Sequence, residues 1–157
     1  MLDKDSYYLK KMKTQLMRIY LLAAKSEDLA LKSLTTGADL SAAEMHTLVV
    51  IGRSTLKTMS EIAQELLINV STLSIAINKL EKKGYVRRIK NESDRRVVRI
   101  VLSEKGKRAL SEHENFYYDI IREISSDMSE PEKREYIRML SGVEELLTQR
   151  LADPAAQ

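Results

Sequence analysis

Apolar residues recur along the first part of the chain at three- and four-residue steps: Leu9, Met12, Leu16, Ile19, Ala23 and Leu31. That rhythm predicts a long helix over residues 5–33. Gly37 breaks it within the loop Thr35-Thr36-Gly37-Ala38-Asp39. Ser41 then starts a second helix, with Glu44 three residues on, ahead of the apolar run from Met45 to Gly52. The Ser/Thr-x-x-Glu spacing lets the hydroxyl accept a backbone N–H while the carboxylate reaches back to the cap's own N–H. Thr58 and Glu61 repeat the device ahead of Ile62, Ala63 and Leu66. Asn69 caps the next helix, whose Leu73, Ala76, Ile77 and Leu80 form one stripe at i, i+3, i+4 and i+7. It ends at Gly84, the residue type expected just past a helix C-terminus. The few residues joining these two short helices suit a helix-turn-helix.

After Gly84 the apolar period drops from helical to alternating. Tyr85–Ile89 and Val97–Leu102 read as β-branched strands flanking the polar insert 90–96, a β-hairpin. Ser103 caps a further helix, and Ser129 caps the last, with Pro131 in its first turn and Glu132 completing a capping box. The tail, 152–157, is expected to fray. The order is helix, helix, helix-turn-helix, hairpin, helix, helix. The expected fold is mainly α with a small β component: a compact unit over 41–103, flanked by helical regions over 5–33 and 104–151.

Charge is distributed unevenly. Residues 69–108 hold twelve Lys or Arg against four Asp or Glu, a net of +8, so the remainder carries −5 of the chain's +3. Such asymmetry points to one region facing a polyanion. The helix after Asn69 supplies a surface for it. Opposite the apolar stripe fall Ser71, Ile75, Asn78 and Lys82, flanked by Thr72, Ser74 and Lys79. Exposed helix surfaces ordinarily favour Glu, Lys and Gln, since Ser and Thr are mediocre helix formers. Short hydroxyls and an amide can instead reach base edges or phosphates, and Ile75 or the Thr72 methyl can lie against a thymine methyl. The hairpin follows at once, so its tip would project towards the same duplex. Arg95 and Arg96 can enter a minor groove, with Asp94 fixing one guanidinium through a bidentate contact or acting only as a turn former.

These residues resemble the winged helix-turn-helix of the MarR family of bacterial transcription regulators. The resemblance is carried by the stretch 59–110, above all by Asp94-Arg95-Arg96, the strand after it and Leu102-Ser103-Glu104-Lys105-Gly106. It implies a sequence-specific DNA-binding regulator with N- and C-terminal dimerisation helices. The homodimer it implies would set two reading helices about 34–36 Å apart on a pseudo-palindromic double-stranded site. The sequence supports association independently. Ile120, Ile121 and Ile124, then Ile137, Leu140, Val143, Leu147 and Leu151, with Phe116, Tyr117 and Tyr118, make stripes a lone small domain would expose.

Segments 44–52, 80–86 and 94–98 are most similar to family members that repress fatty-acid synthesis genes. Those imply a long acyl chain on acyl carrier protein as co-repressor. Leu31, Leu34, Met45, His46, Leu48 and Tyr117 are candidates to line a ligand cavity between the first two helices and the fifth, although periodicity gives pocket and core the same pattern. Two other readings stand beside this one: a repressor released by a small aromatic ligand, and a winged-helix module that binds another protein.

The sequence has no cysteine, which removes disulfides, thiolate metal sites and cysteine-based redox sensing. Its two histidines, His46 and His113, show no metal-ligand spacing. There is no phosphate loop, no Gly-x-Ser-x-Gly and no His-Glu-x-x-His. Glu144 and Glu145 read as solvated charges on an amphipathic helix. The expectation is no catalytic residue, no metal and no resident cofactor. With no secretory leader pattern and no long apolar run, a cytoplasmic protein that does not enter a membrane is expected.

Overall fold

The computed structural model describes residues 4–37, 39–53, 56–90 and 98–152. Its helices are α1 (Lys4–Ser33), α2 (Ala42–Gly52), α3 (Met59–Glu65), α4 (Val70–Lys82), α5 (Glu104–Ser125) and α6 (Glu130–Ala152). Three strands, β1 (Lys57–Thr58), β2 (Val86–Lys90) and β3 (Val98–Leu102), form an antiparallel sheet in the order β1-β3-β2. The expected hairpin is thus the larger part of a three-stranded sheet. β1 is too short to show any alternation, and its pairing of Lys57 with Ile100 and Thr58 with Arg99 is visible only in the fold. β2 begins one residue later than expected, because the Tyr85 N–H is spent on the Leu80 carbonyl at the end of α4. β3 is described from Val98, and Val97 lies outside the described residues.

Contacts divide the chain into two units, Met1–Phe116 and Tyr117–Gln157. In the first, Met45, Leu48, Ile62, Leu73, Ile77, Leu80, Tyr85 and Ile100 are fully buried in one core. Ala76 is half-buried, so the α4 stripe is narrower than its spacing suggests. On α1 only the last turns reach the core, through Ala30 and Leu31, whereas Leu9, Met12, Leu16 and Ile19 are exposed. In the second unit Ile121, Ile124, Ile137, Leu140, Val143, Leu147 and Leu151 are exposed. No described helix is long and apolar enough to cross a membrane.

Of the three expected capping boxes two close in both directions, and at Ser129 only the carboxylate side forms, Glu132 accepting both the Ser129 N–H and its hydroxyl. Ser41–Glu44 and Thr58–Glu61 each close a reciprocal capping box. The Ser129 N–H donates to Glu132 at 2.8 Å, and the Gly106 N–H donates to the Ser103 hydroxyl at 3.0 Å. Gly84 takes φ +80°, so α4 can end and the chain turn into the sheet. Gly106 is fixed by proximity instead: a Cβ there would stand 2.1 Å from the Tyr85 carbonyl oxygen.

A polar clamp joins these pieces. Lys83 Nζ, just past α4, donates to both Glu44 oxygens at 2.8 and 2.9 Å and to the Asp39 carbonyl at 2.7 Å. Burial would raise the Glu44 carboxyl, but its bonds from Lys83 and the Ser41 N–H outweigh that and hold it below the usual range. The buried Tyr85 hydroxyl donates to the Thr36 carbonyl at 2.7 Å and to Asp39. The last turn of α4 is thereby fixed to the start of α2.

Candidate nucleic-acid interface

Position on α4 follows from its cap. Asn69 Oδ1 accepts the Thr72 N–H at 2.7 Å and the Ser71 hydroxyl at 2.7 Å. With Leu73, Ile77 and Leu80 buried, the opposite face turns outward. Ser71, Thr72, Ile75, Asn78, Lys79 and Lys82 are exposed, and Ser74 is half-buried. The hydroxyl of Ser71 donates into the cap, which leaves it to a ligand chiefly as an acceptor.

Asn78 is held from behind. Arg88 Nη2 on β2 donates to Asn78 Oδ1 at 2.7 Å, and its other nitrogen pairs with Glu81. The Asn78 amide therefore presents its N–H donors outward. Arg88 went unremarked among the many basic residues of its strand, and only the fold separates it from them.

The described cations of the +8 stretch divide into two groups. Lys83 is bound to Glu44, Arg88 to Asn78 and Glu81, Arg99 to the Leu56 carbonyl, and Lys107 to Glu104. Lys105 donates to the Lys83 carbonyl and lies over the Tyr85 ring at 4.0 Å. Part of the charge is structural. By contrast, Lys79 and Lys82 on the exposed α4 face, with Arg87 and Arg108, have no side-chain hydrogen bond or ion pair among the described residues. These remain available to phosphates.

One further feature was missed in the sequence. The turn between α3 and α4 is built by Leu67 at φ +55°, with its N–H on the Gln64 carbonyl and the Ile68 N–H on the Ala63 carbonyl. It exposes Leu67, Ile68 and Val70 beside the start of α4. Aliphatic residues where a turn would favour Gly or Asn were the available signal. Asp94, Arg95 and Arg96 lie outside the described residues. The β2–β3 ladder closes with the Lys90–Val98 pair.

The expected ligand residues fall differently. Leu31, Leu34, Met45 and Leu48 are packed in the core. His46 is exposed, and Tyr117 is half-buried in the second unit. The histidines are not isolated, as their spacing suggested. Glu27 on α1 is buried, with both oxygens 3.1 Å from Nε2 of the buried His113 and one oxygen 3.7 Å from Nε2 of His46. Among the described residues no group of three or more such side chains is placed to hold a metal ion.

Comparison with known proteins agrees with this arrangement. The family model described as "MarR family" matches residues 40–98. The HTH-type transcriptional regulator PecS of Dickeya dadantii is 33% identical over 123 residues, 76% of this chain and 74% of that protein. The structure of Streptococcus pneumoniae FabT in complex with DNA superposes with a TM-score of 0.81 at 30% identity, covering 90% of this chain and 98% of FabT. BldR from Sulfolobus solfataricus follows with a TM-score of 0.63 at 27% identity, covering 94% and 99%.

Proposed function

The chain belongs to the MarR family of winged helix-turn-helix transcription regulators, and on that premise we propose that it binds a pseudo-palindromic operator as a homodimer and represses fatty-acid synthesis genes, with long-chain acyl carrier protein as co-repressor. The observation that carries DNA recognition is the outward face of α4. Short polar side chains, one oriented amide and two lysines without a side-chain partner among the described residues lie opposite the buried Leu73, Ile77 and Leu80. Lys79 and Lys82 neutralise phosphates, and Asn78 with Thr72 and Ile75 reads base edges. Arg95 and Arg96 enter the adjacent minor groove.

Association is supported by the uncovered apolar faces of both units, which include Leu16 and Ile19 on α1 and Leu140 and Leu147 on α6. A two-fold pair sets two reading helices about one duplex turn apart. The acyl reading is supported by segments 44–52, 80–86 and 94–98, which resemble fatty-acid repressors. The structural likeness to FabT in complex with DNA supports the duplex as partner.

Operator titration tests both parts. Log affinity should fall linearly with log salt as phosphate contacts release counterions. Hexadecanoyl carrier protein should tighten binding, whereas a small aromatic acid should leave it unchanged. The reverse pair of responses would replace the acyl co-repressor with an aromatic inducer.

A further inference from the structure

A half-open cavity of about 430 Å³ lies in the first unit between the end of α2, the sheet and α5, a volume within the usual range for small-molecule sites. Register supplies its sheet wall. Arg87 faces Val101 across the ladder and Ile89 faces Arg99, so these side chains share the face opposite the one that buries Val86 and Ile100. The α5 wall is one helical stripe, Lys107, Leu110, Ser111 and Glu114, at i, i+3, i+4 and i+7. Gly52 brings the end of α2 against that stripe: a Cβ there would stand 2.3 Å from Leu110 Cδ2.

The lining is apolar in its middle and charged at its ends. Ile89 and Leu56 are 43% and 45% exposed, so the cavity leaves aliphatic surface in water that a ligand would cover. At the start of α5 the bond from Lys107 holds the Glu104 carboxyl below its usual range, with weaker pulls from Arg108 and then Arg87, which places Arg87 towards that end. Lys107 is committed to Glu104 at 2.8 Å, which leaves Arg87 as a cation of the wall without an ion pair among the described residues. Glu114 stands two turns further along α5, about 10 Å away. Arg99, on the same sheet face, is spent on the Leu56 carbonyl, so Arg87 is the wall cation left to meet an anionic group.

We propose that this cavity binds an amphiphile with an apolar tail and a single anionic head group, the head at Arg87 and the tail along Ile89, Val101 and Leu110. The inference rests on the acyl reading above for the nature of the tail, and it moves the ligand away from the packed residues Leu31, Leu34, Met45 and Leu48. A ligand held there touches α5 and both strands that lead into residues 91–97, the segment assigned to the duplex.

The test is titration of the full chain, methyl-labelled at Ile, Leu and Val, with decanoate below its micelle concentration. Saturable shifts should concentrate on Ile89, Val101 and Leu110. Val101→Trp, which fills the space, should weaken binding at least tenfold. Arg87→Gln should weaken decanoate severalfold but not decanol, and Arg87→Lys should restore part of the loss. Shifts centred on Leu31, Leu34 and Leu48, or equal binding by wild type, Val101→Trp and Arg87→Gln, would overturn the cavity and leave the acyl reading intact. Absence of saturable shifts would also overturn the cavity, and the carrier-protein titration at the operator then decides the acyl reading separately.

Discussion

Arg88 on β2 donates to Asn78 on α4 at 2.7 Å, so the strand leading to the wing is bonded directly to the outward face of the reading helix. The bond occupies the Asn78 carbonyl and turns its N–H donors outward. Asn78→Ala should cost about 1–3 kcal/mol of operator affinity and relax the preference at one position in each half-site. Asn78→Asp keeps the acceptor for Arg88 but removes the outward donor, and it should bind at least as weakly as Asn78→Ala. Affinity measurements over single-base operator variants check this. A uniform loss across all sequences would make Asn78 a phosphate contact.

We propose that Arg95 and Arg96 enter the minor groove. Arg95→Ala and Arg96→Ala should each weaken operator binding severely and flatten its salt dependence, with sedimentation unchanged from wild type. Unchanged affinity in both variants would remove the wing from the mechanism.

The exposed stripe of α6 makes association testable apart from DNA. Leu147→Glu places a charge in that stripe at a residue already exposed within its own chain. It should halve the sedimenting mass while circular dichroism keeps its helical signal, and operator affinity should fall with the lost second half-site. A dimer that persists would place the interface elsewhere.

A carboxylate ties the loop after α1 to α5. Glu112 accepts from the Thr36 and Thr35 hydroxyls at 2.6 and 2.8 Å and from their N–H groups at 3.2 and 2.7 Å. These bonds, led by the Thr36 hydroxyl, hold its carboxyl down to about 2. A folded-state value below the unfolded one gives stability that is present above the ordinary carboxylate range and lost as pH falls through the folded value. Glu112→Gln should therefore lower the melting temperature at pH 7, and its difference from wild type should narrow between about pH 4.5 and pH 2. A difference independent of pH would assign the effect to packing.

Caps were legible in the sequence because they are local. Ser41 with Glu44, Thr58 with Glu61, Asn69 and Gly84 act over one to three residues, and each stands where its spacing placed it. The face of α4 was legible for the same reason, since three buried leucine and isoleucine side chains fix where Asn78 and Lys79 point. What lay hidden depends on residues far apart in the chain. β1 exists only by pairing with β3, and Glu27 gathers His46 and His113 from two other helices. Arg88 and Lys83 looked like two more surface cations until Asn78 and Glu44 supplied their partners. Periodicity marks a buried face without saying what covers it, so Met45 and Leu48 could suggest a pocket and prove to be core.

The central claim is that the outward face of α4 recognises particular DNA sequences. It is tested most directly by incubating the purified full chain with sheared DNA of its own genome and sequencing the fragments it retains. The account predicts enrichment of pseudo-palindromes with half-sites about one helical turn apart, upstream of fatty-acid synthesis genes. Enrichment of such sites elsewhere would keep the regulator and discard the proposed regulon. No enrichment, even at low salt, would contradict sequence-specific recognition and favour a winged-helix surface that binds another protein.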